Sequence, residues 1–292
     1  MSIERIRALP CWQGAISAAI LKGGLSNESW KVTDAQGSYV VRFGTDFPFH
    51  HVFRDREVMA ARAAHAAGFA PAVHYSAPGV MVCAFLGART WGEADMRASP
   101  ARIAEILRRF HQEMPAQVSG AGAIFWVFHV IRDYARTLRD KDSRFTPELP
   151  RLLAINAALE AAQSPMPIIF GHHDLLPGNF LEDDSRLWLI DFEYAAFGTA
   201  MFDLAGAAGN AGMAPDEEEQ MLSAYFGRSP DAATARSFAA MKAASLMREA
   251  MWAMVSEIFL KAPGADYDGH AKDYLGRLDA TLELYQTTYG KI

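Results

Sequence analysis

Strand-like alternation occupies the first third of the chain and almost nowhere else, and that segregation limits the fold more than any other feature. Ala18 to Phe43 alternates, with Asp34-Ala35-Gln36-Gly37 between SWKVT and SYVVRF, which predicts a β-hairpin preceded by a glycine-bearing loop. The alanine-rich run from Phe53 to Ala67 predicts a helix stopped by Gly68 and then Pro71. Val73 to Tyr75 and Gly79 to Phe85 predict two more strands, and Leu86-Gly87-Ala88 a hinge. Beyond it, Ser99 as N-cap and Pro100 at the first helical position precede Ile103, Ile106, Leu107 and Phe110, an i, i+3, i+4, i+7 stripe. Residues 124–140, residues 147–163 and almost everything from Pro215 to Tyr289 also read as helix, with a β-rich insert from Ile168 to Phe192. The expectation is an α+β fold with a small β-rich N-terminal lobe over residues 1–86 and a large, mainly helical C-terminal lobe over residues 87–292.

With 292 residues, 51% of them hydrophobic, the chain has material for a large core. A net charge of −6 gives no broad basic field, which argues against nucleic acid as the main partner and suits a small cationic substrate. Cys11 and Cys83 are far apart in sequence, so neither a disulfide framework nor a zinc site is expected, and a reducing cytoplasm fits. The opening MSIERIRALPCWQG has no apolar core of signal-peptide length. The apolar run from Ile124 to Ile131 is interrupted by His129 and is far below the roughly 20 residues a spanning helix needs, so no membrane partner is expected.

Chemistry concentrates in the insert, which reads FGHHDLLPGNFLEDDSRLWLIDFEY from Phe170 to Tyr194. Asp174 and Asn179 form D-x-x-x-x-N, the spacing in which an aspartate orients an acceptor hydroxyl and an asparagine holds a metal. Leu187 to Ile190 predicts a buried strand ending in Asp191-Phe192-Glu193, and Asp191 is the hard oxygen ligand Mg²⁺ prefers. These residues point to phosphoryl transfer from ATP, with Asp174 as base, Asn179 and Asp191 as metal ligands, and His172 bracing the loop. Two other readings stay open. His172-x-Asp174 is also the spacing of two ligands of a 2-His-1-carboxylate iron site, and Asp and Asn are common turn residues.

The first lobe offers a phosphate-binding half. Gly23, Gly24, Ser26 and Asn27, in KGGLSN, form a loop whose backbone N–H groups suit phosphates, although Gly-Gly is also a common tight turn. Arg42 ends the strand YVVR as a cation for the α- and β-phosphates, with Glu57 on the next helix to orient it; the alternative is an incidental surface pair. On the acceptor side, Ser245, Glu249, Trp252 and Ser256 share one helical face, while Met247, Met251, Met254 and Ile258 form a core stripe. Trp252 one turn from Glu249 suits an organic cation, against a plain core tryptophan and a solvated charge. Asp203 faces either the substrate or the catalytic loop, or is an N-cap. Glu193, where a D-F-G motif has glycine, is assigned with Asp203, Glu249, Trp252 and Tyr267 to substrate binding.

From about Gly23 to Leu282 the sequence resembles the choline/ethanolamine kinase family, within the wider group that includes aminoglycoside phosphotransferases. The resemblance rests on GGLSN, YVVRFG, Glu57, Phe85-Leu86-Gly87, HHDLLPGN, IDFEY and FDLA. Arg42 and the I-D-F-E-Y form resemble the choline kinase branch more than the antibiotic branch. The resemblance implies a protein-kinase-like bilobal fold, ATP with Mg²⁺, and the base and metal ligands named above. Choline kinases carry a cage of several aromatic residues in their C-terminal helices; here Trp252 and Tyr267 are retained, while Glu249 and His270 stand where further aromatics are expected. The implied partner is a small cationic alcohol, a primary ammonium such as ethanolamine fitting at least as well as choline. An aminoglycoside or other small-molecule phosphotransferase, and a non-catalytic nucleotide-binding pseudokinase, are the alternatives.

Overall fold

The computed structural model describes residues 3–21, 28–260 and 264–291. Gly23, Gly24, Ser26 and Asn27 lie outside the described residues. A short helix α1 (Ile3–Arg7) precedes β1 (Ser17–Leu21), β2 (Glu28–Thr33), β3 (Ser38–Phe43), helix α2 (Arg54–Ala66), β4 (Val73–Ala77) and β5 (Val80–Ala84). The strands form an antiparallel sheet in the order β1-β2-β3-β5-β4. The β2–β3 turn is closed by Asp34, whose Oδ1 accepts from the N–H groups of Gln36 and Gly37. Alternation along β3 buries Tyr39, Val41 and Phe43 against Ile6, Val32 and Val82 on one face. Arg42 therefore projects from the opposite face, toward α2 and Glu57. Helix α2 stops where Gly68 adopts φ +81°.

The remainder is mainly helical: β6 (Arg89–Thr90), α3 (Glu93–Ala98), α4 (Pro100–Glu113), α5 (Val127–Asp140) and α6 (Leu149–Ala161), then β7 (Ile168–Gly171), β8 (Phe180–Glu182), β9 (Leu187–Leu189) and β10 (Ala196–Thr199), and finally α7 (Ala200–Ala211), α8 (Pro215–Phe226), α9 (Ala232–Phe259) and α10 (Tyr267–Tyr289). The α4 stripe of Ile103, Ile106, Leu107 and Phe110 is buried, although Ser99 at the N-cap position makes no capping hydrogen bond through its side chain. Met247, Met251 and Met254 are wholly buried, as the core stripe requires. Among the described residues α1, β6, α3, β10 and α7 have no counterpart in the sequence expectation. Every residue of α7 is buried, so it carries no amphipathic period to read.

One set of packed side chains joins the sheet side to the helices, running from Ala60 and Ala64 of α2 through Phe69 and Phe110 to Met247 of α9. The connection between β3 and α2 adds a second junction, where Phe49 stacks on Phe259 at 4.4 Å. Among the described residues no helix is long and apolar enough to cross a membrane. Cys11 and Cys83 are both free.

Candidate active site

The loop from His172 to Asn179 is held from behind by α7. Asp203, at its first turn, accepts from the backbone N–H groups of His172 (2.8 Å) and His173 (2.7 Å), and from His111 Nε2 at 2.8 Å. Burial opposes its ionisation, but the His111 hydrogen bond and the neighbouring histidines outweigh it and hold the carboxyl well below the usual range. The sequence assigns Asp203 to the substrate, with the catalytic loop or an N-cap as alternatives. Its side chain is wholly buried with both oxygens engaged, so it braces the loop instead. His173 adopts φ +61°, and its ring lies against two glycines: a Cβ at Gly171 or Gly198 would stand 2.5 or 2.7 Å from its Nε2. Burial keeps this ring neutral, pulling its pKa down to about 4.

His172 uses both ring nitrogens on the backbone. Nε2 meets the Ile190 carbonyl at 2.9 Å, and Nδ1 accepts from the Asp174 N–H at 3.3 Å, which leaves neither nitrogen for a metal and removes the basis for the iron-site reading. Asn179 Nδ2 donates to the Asp174 carbonyl at 2.7 Å and lies 3.4 Å from Asp174 Oδ2. Ile190 N–H donates to the Asn179 carbonyl, which sets Asn179 beside Asp191. Asp191 itself has φ +68°, a left-handed conformation seldom taken by a non-glycine residue outside a constrained site.

Around Asp191 two guanidiniums meet three carboxylates. Arg42 Nη1 lies 2.9 Å from Asp191 Oδ1 and 3.0 Å from Glu57 Oε1, and its Nη2 is 3.8 Å from Glu193. Arg54 Nη1 bridges Glu57 at 2.7 Å and Glu193 at 2.8 Å. Glu193, assigned from sequence to the substrate, thus sits between the two arginines. Burial and the Asp191 charge push its carboxyl up to about 6, while Arg42 and Arg54 pull the other way. A cleft of about 690 Å³ opens here, lined among the described residues by Arg42, Gly44, Thr45, Arg54, Glu57 and Met81.

These groups fit a nucleotide and its metal. Arg42 Nη2 and Arg54 Nη2 are buried without a hydrogen-bond partner among the described residues, two donors suited to phosphate oxygens. Asp191 and Asn179 offer hard oxygens, and the excess of carboxylate over guanidinium favours a divalent cation. Among the described residues no three His, Cys, Asp or Glu side chains form a metal cage, so phosphates and water would complete the shell of any Mg²⁺.

Across the loop lies the face of α9. Asp174, Asn210, Ser245 and Glu249 line one small cavity. Burial pushes the Asp174 carboxyl well above its ordinary range; Arg248 opposes this, and Glu249, Asp191 and Glu193 add to it. Glu249 is ion-paired with Arg248, and its Oε2 lies 4.0 Å from His270 Nε2. Trp252 donates from Nε1 to the Tyr194 hydroxyl (3.0 Å), and its ring stacks on His50 and meets Tyr267 edge-on and His270 at a tilt. His50 is fixed in turn by Tyr134 and Ser256, so the β3–α2 connection supports this wall.

The structure therefore brings Arg42, Glu57, Asn179, Asp174 and Asp191 together, and sets Glu249, Trp252 and Tyr267 on the far side of the same loop. Sequence reasoning missed Arg54, Tyr194 and Arg248. Arg54 carries a signal, standing three residues before Glu57 on one helical face. Arg248 lies within 60° of Ser245 and within about 40° of Trp252 on a helical wheel at the usual spacing, so its place on that face was readable, though not its burial.

Residues 17–238 match the phosphotransferase enzyme family. A probable ethanolamine kinase from Arabidopsis thaliana is 29% identical over 245 residues, a stretch covering 75% of this chain and 60% of that protein, so the chain spans less than two thirds of that relative's length. A choline/ethanolamine kinase family protein from Mesorhizobium loti superposes with a TM-score of 0.74 at 26% identity, covering 96% of this chain and 93% of the other. The choline kinase LicA from Streptococcus pneumoniae shares the fold, with a TM-score of 0.74 at 21% identity over 92% of this chain and 94% of its own. With a sheet-bearing N-terminal part, a helical C-terminal part and a match over most of its length, the chain belongs to the phosphotransferase enzyme family.

Proposed function

We propose that this protein transfers the γ-phosphoryl group of ATP, with Mg²⁺, to the hydroxyl of a small amine-bearing alcohol. Residues 1–86 form the nucleotide-binding lobe in this proposal, and residues 87–292 carry the catalytic loop and the acceptor. The observation that carries it is the junction at the loop. Asn179 is bonded to Asp174 on one side and set beside Asp191 on the other, while Asp191 is held by Arg42.

Each residue then has a task. Arg42 and Arg54 offer to phosphate oxygens their Nη2 donors, which have no hydrogen-bond partner among the described residues, and Glu57 and Glu193 hold the two guanidiniums in place. Asn179 and Asp191 would hold Mg²⁺, which supplies charge neutralisation at the transferring phosphoryl group. Asp174 orients the acceptor hydroxyl and takes its proton, and its raised pKa favours that role. Glu249 receives the ammonium, with Trp252 and Tyr267 as aromatic walls. The names of the matched kinases support the acceptor class. Free cysteines and a nucleotide co-substrate fit a cytoplasmic setting.

The test is a coupled ADP-release assay across amino alcohols and aminoglycosides, with and without Mg²⁺, using Asp191→Ala as a blank. Mg²⁺-dependent turnover on an amino alcohol, lost in the variant, is the expected result. Turnover confined to aminoglycosides would refute the acceptor class, and no turnover on any alcohol would leave a pseudokinase.

A further inference from the structure

The acceptor side holds a cation of its own. Arg248 shares α9 with Glu249 and Trp252 and is 1% exposed. Its Nη1 is paired with Glu249, and its guanidinium carbon lies 4.3 Å from the centre of the Tyr194 ring. Nε and Nη2 have no hydrogen-bond partner among the described residues. Those two groups form the side edge of the guanidinium, a pair of parallel N–H donors that matches the two oxygens of a carboxylate. A buried guanidinium left half-bonded is costly, which gives a ligand that takes both donors a strong advantage.

The neighbours narrow the choice of ligand. Arg248 already lies over Tyr194, an aromatic face that a quaternary ammonium would otherwise use. Its charge also offsets that of Glu249, so a purely cationic acceptor finds little net attraction. Glu249, which lines the Asp174 cavity, and the buried, half-bonded guanidinium of Arg248 paired with it complement a molecule carrying both charges.

We infer that the acceptor is a zwitterionic hydroxy amino acid, with its ammonium on Glu249, its carboxylate on the Nε/Nη2 edge of Arg248 and its hydroxyl at Asp174. This inference rests on the phosphoryl transfer proposed above and specifies its substrate class. The acceptor hydroxyl oxygen forms the new bond to the γ-phosphorus as the bond to the β,γ-bridging oxygen breaks. ADP leaves with that electron pair, and the hydroxyl proton passes to Asp174.

The test compares kcat/KM of the intact protein with MgATP for ethanolamine, choline, L-serine and L-homoserine, and for the methyl esters of the two amino acids. A bidentate charge-assisted contact predicts that the better amino acid exceeds ethanolamine by about 10- to 100-fold, and that its ester loses about the same factor. In Arg248→Met the advantage of the free acid over its ester should fall to within about threefold of unity. The esters keep the hydroxyl and the ammonium, so the wild-type series decides the matter even if the variant does not fold. Equal or better turnover of ethanolamine, choline or the esters overturns the zwitterion and leaves the kinase assignment standing. No ADP release with any of these alcohols overturns both.

Discussion

The two sides of the loop balance charge in different ways. On the phosphate side, Arg42 and Arg54 face Glu57, Asp191 and Glu193, drawn from β3, α2 and the segment after β9. On the acceptor side, Arg248 and Glu249 are neighbours in one helix. The first cluster exists only while distant segments are docked, since Arg42 and Asp191 stand 149 positions apart. The second is carried by one face of α9. Under the proposed function, phosphate binding is thus tied to the docking of distant segments, whereas acceptor choice rests on neighbouring positions of one helix.

Variants can break or sharpen that contrast. The largest effect is expected where both sides are anchored. Asp203→Asn leaves an N–H group facing the backbone donors of His172 and His173, and should cost about 3 kcal/mol of stability by thermal unfolding, with turnover falling on every acceptor. Next, Arg42→Met should raise KM for ATP by about 10- to 100-fold and leave KM for the acceptor within about twofold. Glu249→Gln should do the reverse, raising KM for the acceptor by about tenfold with little change for ATP. A comparable rise in both constants from either substitution would show that the two sides are not separable. The smallest effect is at the junction: Phe49→Ala removes the stack on Phe259 and should cost about 1 kcal/mol, read by denaturant titration.

How much of this was legible in the sequence follows the same division. Asp174, Asn179 and Asp191 are close in sequence, and their spacing with a strand between them fixes their geometry locally. The hairpin, α2 and α4 declared themselves through period and stop signals, because each has one buried and one exposed face. Helix α7 did not, being buried all round, and β10 was hidden because it pairs back to β7 across residues 172–195. Glu193 was assigned to the substrate because its pairing with Arg54 is not a local feature. Their contact spans 139 positions, and no local pattern encodes it. Arg248 shows a different limit: adjacent opposite charges in a helix ordinarily mark a solvated face, and only the packing of Tyr194 and Phe125 against it reveals a buried pair.

The central claim is that Asp174 is the base where the two sides meet, and the pH dependence of kcat at saturating MgATP and acceptor tests it most directly. A base must be ionised to act, and burial raises the Asp174 pKa. Wild-type turnover should therefore fall as pH drops through a value above the ordinary carboxylate range of about 3.9. Asp174→Asn should be slower by about 100-fold or more, without that acid limb. An Asp174→Asn enzyme with near-wild-type turnover and the same acid limb would contradict the account.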